Sequence, residues 1–196
     1  MKIKACSTIL LLILVHGLAY GEKIKPGKER WQVKTGQDVT RAEVNLNPFQ
    51  TTVAELRMQI RPSGPFPDDR RVCVVERTVW QVEATILEFK LEPDGDYHVV
   101  IADAAGKSLV TEIPKPTQRF IGKNNPWKAM LKAVRDRFRA RFSQKERKKS
   151  QSKWNQGGGT RARIRGVGFF DFLHGQKGMA PNGIELHPLL SIEWLN

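Results

Sequence analysis

The apolar positions of the chain recur with period two in some stretches and with helical period in one. From Thr78 to Leu91, the apolar residues Val79, Val82, Ala84, Ile86, Leu87, Phe89 and Leu91 are interspersed with Thr, Gln and Glu, which predicts a strand. Pro93-Asp94-Gly95-Asp96 follows as a hairpin turn, because Asp-Gly accepts the positive φ of tight turns. Tyr97 to Ala102 reads as a second strand, Asp103 to Gly106 as a turn, and Lys107 to Ile113 as a third strand. Asn125-Pro126 then opens a helix, with Asn as the cap and Pro in the first turn. Its apolar residues Trp127, Met130, Leu131, Val134, Phe138 and Phe142 fall in one stripe that packs on a sheet. Residues 143–159 form a Lys-, Gln- and Gly-rich connection, expected to be mobile. Arg161 to Phe170 and Ile184 to Trp194 complete the pattern as strands four and five, the last interrupted at Pro188. The order β-β-β-α-β-β predicts a mainly β fold, an OB-like five-stranded barrel.

The segments before the barrel read differently. Lys2 and Lys4, the apolar run Ile9 to Val15 and the small residues of Ala19-Tyr20-Gly21 have the pattern of a secretory signal peptide cleaved before Glu22. The protein is therefore expected to be exported, periplasmic or secreted. Glu22 to Asn47 is polar and aperiodic, an expected exposed leader. Thr52-Val-Ala-Glu55 is a capping-box pattern that starts a short helix, followed by a Pro-rich loop at 62–69, and the domain proper is expected to begin near Val72. Without residues 1–21 only Cys73 remains, so no intramolecular disulfide is available; its Val-rich surroundings predict a strand and a buried, unreactive thiol.

Composition changes this picture in one respect. The chain's 196 residues carry a net charge of +13, with 40% hydrophobic and 27% charged residues, which excludes a disordered or multi-span membrane protein. Residues 119–165 hold 16 Lys and Arg against two acids, whereas the rest is close to neutral. Lys128, Lys132, Arg135 and Arg139 flank the helix stripe, and Arg161, Arg163 and Arg165 share one strand face. These seven residues are candidate contacts for a polyanion (nucleic acid, anionic lipid or wall polymer) or for an acidic protein. The plainer alternative is a solvated charged face.

The candidate chemistry lies outside the basic segment. Each of His98, His174 and His187 has an acid within three residues, namely Asp96, Asp171 and Glu185. On strands, residues two apart share a face, which pairs Asp96 with His98 and Glu185 with His187. In an OB-like barrel the turn holding Asp94 and Asp96 and the loop His174 to Gly183 border the ligand-binding face. Asp94, Gln176 and Asn182 are thus ligand-binding candidates, with Asn182-Gly183 also a plain turn signal. The acid–histidine pairs are candidates for general base catalysis or for a divalent metal such as zinc, although no compact metal motif is present. A hydrogen-bonded network that merely fixes the loops is the competing reading. Phe169, Phe170, Phe172 and Tyr97 offer stacking surfaces for bases or, more simply, barrel core. Three function classes follow: a polyanion-binding module, a phosphodiesterase-like hydrolase using the acid–histidine pairs, and an adaptor or inhibitor of an acidic protein. No cofactor is predicted beyond the possible metal.

The segment GVGFFDFLHGQKGMAPNGIELHP at 166–188 resembles the signature of a family of uncharacterised, mostly exported bacterial proteins; Asp94-x-Asp-x-His98 and Glu112-Ile-Pro114 extend the similarity over roughly residues 50–195. The resemblance implies a bacterial, exported protein and no particular activity. More loosely, the element order and Asp94-Gly95-Asp96 resemble the staphylococcal-nuclease-like OB-fold, in which a comparable acid helps to bind calcium. Thr111 to Pro116 has no counterpart of that family's catalytic stretch, so the likeness implies a fold only.

Overall fold

The computed structural model describes residues 29–142 and 153–196, so the expected signal peptide and most of the 143–159 connection lie outside the described residues. In chain order the elements are α1 (Trp31–Thr35), β1 (Asn45–Gln50), α2 (Val53–Arg57), β2 (Thr78–Leu91), β3 (Tyr97–Ala102), β4 (Ser108–Ile113), α3 (Gln118–Ile121), α4 (Lys128–Phe142), β5 (Asn155–Gln156), β6 (Arg161–Phe170) and β7 (Ile184–Trp194).

Five of these strands close on themselves in the order β2-β3-β4-β7-β6, with β6 returning to β2. The closure depends on the length of β2. Its first half pairs with β6, from Val79 opposite Val167 to Thr85 opposite Arg161. Its second half pairs with β3, from Thr85 opposite Ala102 to Leu91 opposite Tyr97. β4 and β7 run parallel, because the chain leaves β4 through α3 and α4 before re-entering the sheet, and all other barrel pairs are antiparallel. The result is the OB-like barrel that the element order predicts. Pro188 does not end β7; it coincides with a shift of register against Gly166 and Gly168.

Alternation sends one face of each strand inward. Val82, Ala84, Ile86, Phe89, Tyr97, Val99, Ile101, Leu109, Ile113, Ile164, Phe170, Ile184, Leu186 and Ile192 belong to one buried cluster, into which α4 inserts Val134 and Phe138. The Phe138 ring stands 5.0 Å from Phe89 and 5.2 Å from Tyr97. A second cluster joins Trp127, just before α4, and Leu131 of α4 to Val44, Val79, Ile121, Val167 and Leu190. Phe169, Phe170 and Tyr97 are thus buried, and only Phe172 of the expected stacking residues is exposed.

The expected leader is corrected for the residues described. Arg30, Val33 and Thr35 are fully buried, and α1 packs against β7. Arg30 closes a bidentate pair with Glu76 at 2.5 and 2.8 Å, its Nε donates to Pro67 O at 3.2 Å, and its Nη atoms also reach the carbonyls of Phe170 and Arg70. A segment without apolar periodicity is held by polar anchoring instead. α1 ends at Gly36, whose φ of +67° and closeness to the Trp127 ring (an added Cβ would lie 2.2 Å from it) leave no room for a side chain. The domain accordingly includes residue 29 onward and does not start near Val72. α2 carries the predicted capping box, with Glu55 N–H donating to Thr52 Oγ1 at 3.1 Å and Thr52 N–H to Glu55 Oε2 at 2.9 Å. Cys73 precedes a 3-10 turn instead of lying in a strand; it is partly buried, and burial pushes its thiol up. No helix among the described residues is long and apolar enough to cross a membrane.

Candidate functional site

Side chains that alternate outward from β3, β4 and β7 put His98, Glu112, Glu185 and His187 on the outer face of the barrel. Two loops and α1 cover them. The β2–β3 turn brings Glu92, Asp94 and Asp96, the β6–β7 loop brings Asp171, His174 and Gln176, and α1 lowers Lys34 from above. Between these parts lies a cleft of about 530 Å³ lined by five carboxylates (Glu29, Glu92, Asp94, Glu112 and Asp171), one ammonium (Lys34), His174 and Gln176. The β6–β7 loop is pinned at its ends. Arg61 Nη1 donates to Asp171 O at 2.7 Å and to Asn182 O at 3.1 Å, while Gly183, at φ +69°, lets the backbone pass where a Cβ would meet Asp171 O at 2.9 Å.

His98 is buried and satisfied. Its Nδ1 lies 3.2 Å from Glu112 Oε1 and its Nε2 3.0 Å from Lys177 O. Both partners accept, so both ring nitrogens donate and the ring is an imidazolium. Burial would lower its pKa, but the hydrogen bond and charge of Glu112 raise it. Glu112 responds in kind. Burial would raise its carboxyl, but His187 (protonated in acid), the hydrogen bond from His98 and the Lys34 charge hold it at about 2.

His187 is the opposite case. It is fully buried, and neither ring nitrogen has a hydrogen-bond partner among the described residues. Its Nδ1 lies 3.4 Å from Glu112 Oε2 and 3.9 Å from Glu185 Oε2, and its Nε2 3.9 Å from Asp96 Oδ2. Burial dominates and lowers its pKa to about 4, so it is neutral near pH 7. Asp96 and Glu185 are pushed well above the usual carboxylate range by burial and then by acidic neighbours, Asp94 and Glu112 for the former, Asp171 and Glu112 for the latter. Burial, with Glu112 and Glu92 nearby, also raises Asp94. Lys34, 3.7 Å from Asp171, keeps its proton firmly; burial opposes this, but Asp171, Glu112 and Glu185 outweigh it.

The structure therefore brings Asp94, Asp96, His98, Asp171, His174, Gln176, Glu185 and His187 to one face, but in pairings the chain order does not give. His98 bonds to Glu112 and not to Asp96; Glu185 bonds to Gln176 and lies beyond hydrogen-bond reach of His187. Only His174, which pairs with Asp171 at 3.2 Å, is exposed at the cleft. Asn182 is a structural residue, donating to Leu56 O and Gln59 O and accepting from Ile184 N–H.

The basic candidates are divided. Arg135 is buried, donating to Ile113 O and Gly95 O beneath the β2–β3 turn, and is no surface contact. Arg163 pairs with Glu83 and Glu193, Arg165 donates to Gln81, and Arg161 lies 3.9 Å from Glu83. Across the barrel, neighbouring strands thus supply the acids that a single strand's sequence does not show. Lys128 and Lys132 are exposed on α4, Lys132 beside Asp136, and Arg139 is half-buried.

Lys34 and the pairing role of Glu112 escape a reading of local spacing. Glu112 had a signal: the Asp103–Gly106 turn sets the β3–β4 register, which places it opposite His98. Lys34 had none, since nothing in its polar segment marks it for burial. No family model, curated protein or solved structure matches the chain.

Proposed function

We propose that the protein is an OB-like binding module that takes a small ligand bearing cationic or hydrogen-bond-donating groups into the cleft between the β2–β3 and β6–β7 loops. The observation that supports this is the lining: five carboxylates against one ammonium, which Asp171 already engages. Such a wall attracts amines, amidines or guanidines and repels anions. The sealed positions of His98 and His187 remove two of the three histidines from contact with anything in the cleft, which weighs against a histidine-based hydrolase. Screening a panel of diamines and guanidinium compounds, with matched carboxylates as controls, by thermal shift tests the reading. Cations should stabilise the protein, and Asp94→Asn with Glu92→Gln should remove the effect. Equal response to anions, or none to either, overturns it.

A second reading, polyanion binding, keeps a separate surface. Lys128, Arg137 and Arg141 are exposed on α4, and the cationic residues 145–149 follow it in the sequence. Affinity for DNA or anionic vesicles should fall steeply between ~50 and ~200 mM salt and weaken in Lys128→Glu. Absence of binding at low salt removes this reading without touching the cleft.

A further inference from the structure

We propose that Asp96, Glu112 and His187 form a binding site for one divalent transition-metal ion of the zinc type. One ligand atom from each lies within 4.8 Å of the other two. The three come from the turn before β3, from β4 and from β7, so the barrel itself fixes their spacing. One imidazole nitrogen with two carboxylates is a donor set for zinc or manganese; magnesium and calcium prefer oxygen alone.

The orientation of the carboxylates is the stronger observation. Each has one oxygen held by the protein and the other turned to His187. Asp96 Oδ1 accepts from Lys115 N–H at 2.9 Å while Oδ2 stands 3.9 Å from His187 Nε2. Glu112 Oε1 accepts from His98 while Oε2 stands 3.4 Å from Nδ1. Glu185 Oε1 accepts from Gln176 while Oε2 stands 3.9 Å from Nδ1. Such outer partners orient metal ligands in proteins. Separations near 3.9 Å are too long for hydrogen bonds. One ion takes one ring nitrogen. The 3.4 Å between His187 Nδ1 and Glu112 Oε2 matches two donors on one ion, which at ~2.1 Å each stand about 3.4 Å apart at a tetrahedral angle. The 3.9 Å approach of Asp96 is to the other nitrogen, Nε2, so that Asp96 joins the set through the 4.8 Å spacing of the three ligand atoms. The unpartnered atoms of a fully buried histidine and of Glu185 Oε2 gather at this one place, whereas buried polar atoms are nearly always partnered. A doubly charged ion there would also offset the crowded carboxylates, which Lys34 and His98 balance only in part.

The inference goes beyond the cleft reading and shares with it only Glu112, since Asp96 and His187 do not line the cleft. The test uses the full chain without a histidine tag, stripped with chelator and titrated with Zn²⁺ at pH 7 against a chromophoric competitor. One equivalent should bind; Asp96→Asn and His187→Gln should each weaken it at least 100-fold, and His98→Gln by about 10- to 100-fold. His174→Ala, at the exposed Asp171 pair, should leave it unchanged. No stoichiometric binding, or loss in His174→Ala with retention in His187→Gln, overturns the site. If the buried variants do not fold, zinc-edge X-ray absorption of the wild-type protein decides: one imidazole with oxygen donors supports the site, and several imidazoles or oxygen alone refutes it. Cation capture by the cleft without zinc binding would leave the proposed function standing and this inference fallen.

Discussion

Two of the buried groups of charged residues among the described residues are built on opposite plans. In the Arg30–Glu76 pair, every nitrogen and oxygen of the two side chains has a partner: the pair is bidentate, Pro67, Arg70 and Phe170 offer carbonyls to the guanidinium, and the N–H groups of Val72 and Phe170 donate to the carboxylate. Around His187, three carboxylates each turn an oxygen to one imidazole that bonds to none of them. The first arrangement fastens the N-terminal segment to the barrel. The second leaves electrostatic work undone, as expected where a site awaits a ligand. Burial of charge alone does not separate structure from function; the completeness of its partnering does.

The contrast is sharpened most by breaking the satisfied pair. Glu76→Ala leaves the Arg30 charge buried without its partner and should cost about 3–5 kcal/mol, measured by denaturant unfolding. A loss under 1 kcal/mol would mean that α1 is not fastened by this pair. Next in size is a pH effect at His187 in metal-free protein. Its folded pKa, about 4, lies below the ordinary 6.5, so the unfolded chain takes up the proton first. Stability from this group is full above 6.5 and is lost as pH falls to 4, by on the order of 2–3 kcal/mol. His187→Gln should flatten that part of the pH–stability curve. Glu112, depressed to about 2 from 4.5, adds a further loss only below pH 4.5.

Glu185 should behave with the reverse sign. Its folded pKa is raised, so its ionisation increasingly disfavours the folded state as pH climbs above the unfolded value. Glu185→Gln in metal-free protein should therefore raise the melting temperature at pH 7 by a few degrees, roughly 1 kcal/mol, with the gain vanishing near pH 4. Calorimetry at the two pH values checks it, and a gain that persists in acid contradicts the assignment. Smallest is Arg163→Ala. Its pairs with Glu83 and Glu193 are partly solvent-exposed, so the loss in denaturant unfolding should be the smallest of the set and shrink further in salt.

Much of the barrel was legible in the chain because its signals are local. Alternation marks β2, β6 and β7, the turn residues at 93–96 and 103–106 separate β3 from its neighbours, and the 3.6-residue stripe marks α4. The two loops that border the cleft follow from element order once the barrel is accepted. The site's pairings did not follow, because they are made across strands. His98 meets Glu112 through the β3–β4 register, and His187 comes near Asp96 because β3 and β7 both pair with β4.

The sequence by itself thus determined the architecture, the separation of cationic segment from acid–histidine residues, and the face on which those residues gather. Period-two and period-3.6 patterns act within a few residues and survive any view of the chain. Only the tertiary structure decided that Lys34 is lowered into a carboxylate-lined cleft, that Arg135 and Asn182 are structural, and that His187 stands unbonded among Asp96, Glu112 and Glu185. Those outcomes depend on which distant side chains remove water from one another, and burial, not residue type, sets their charge and their chemistry.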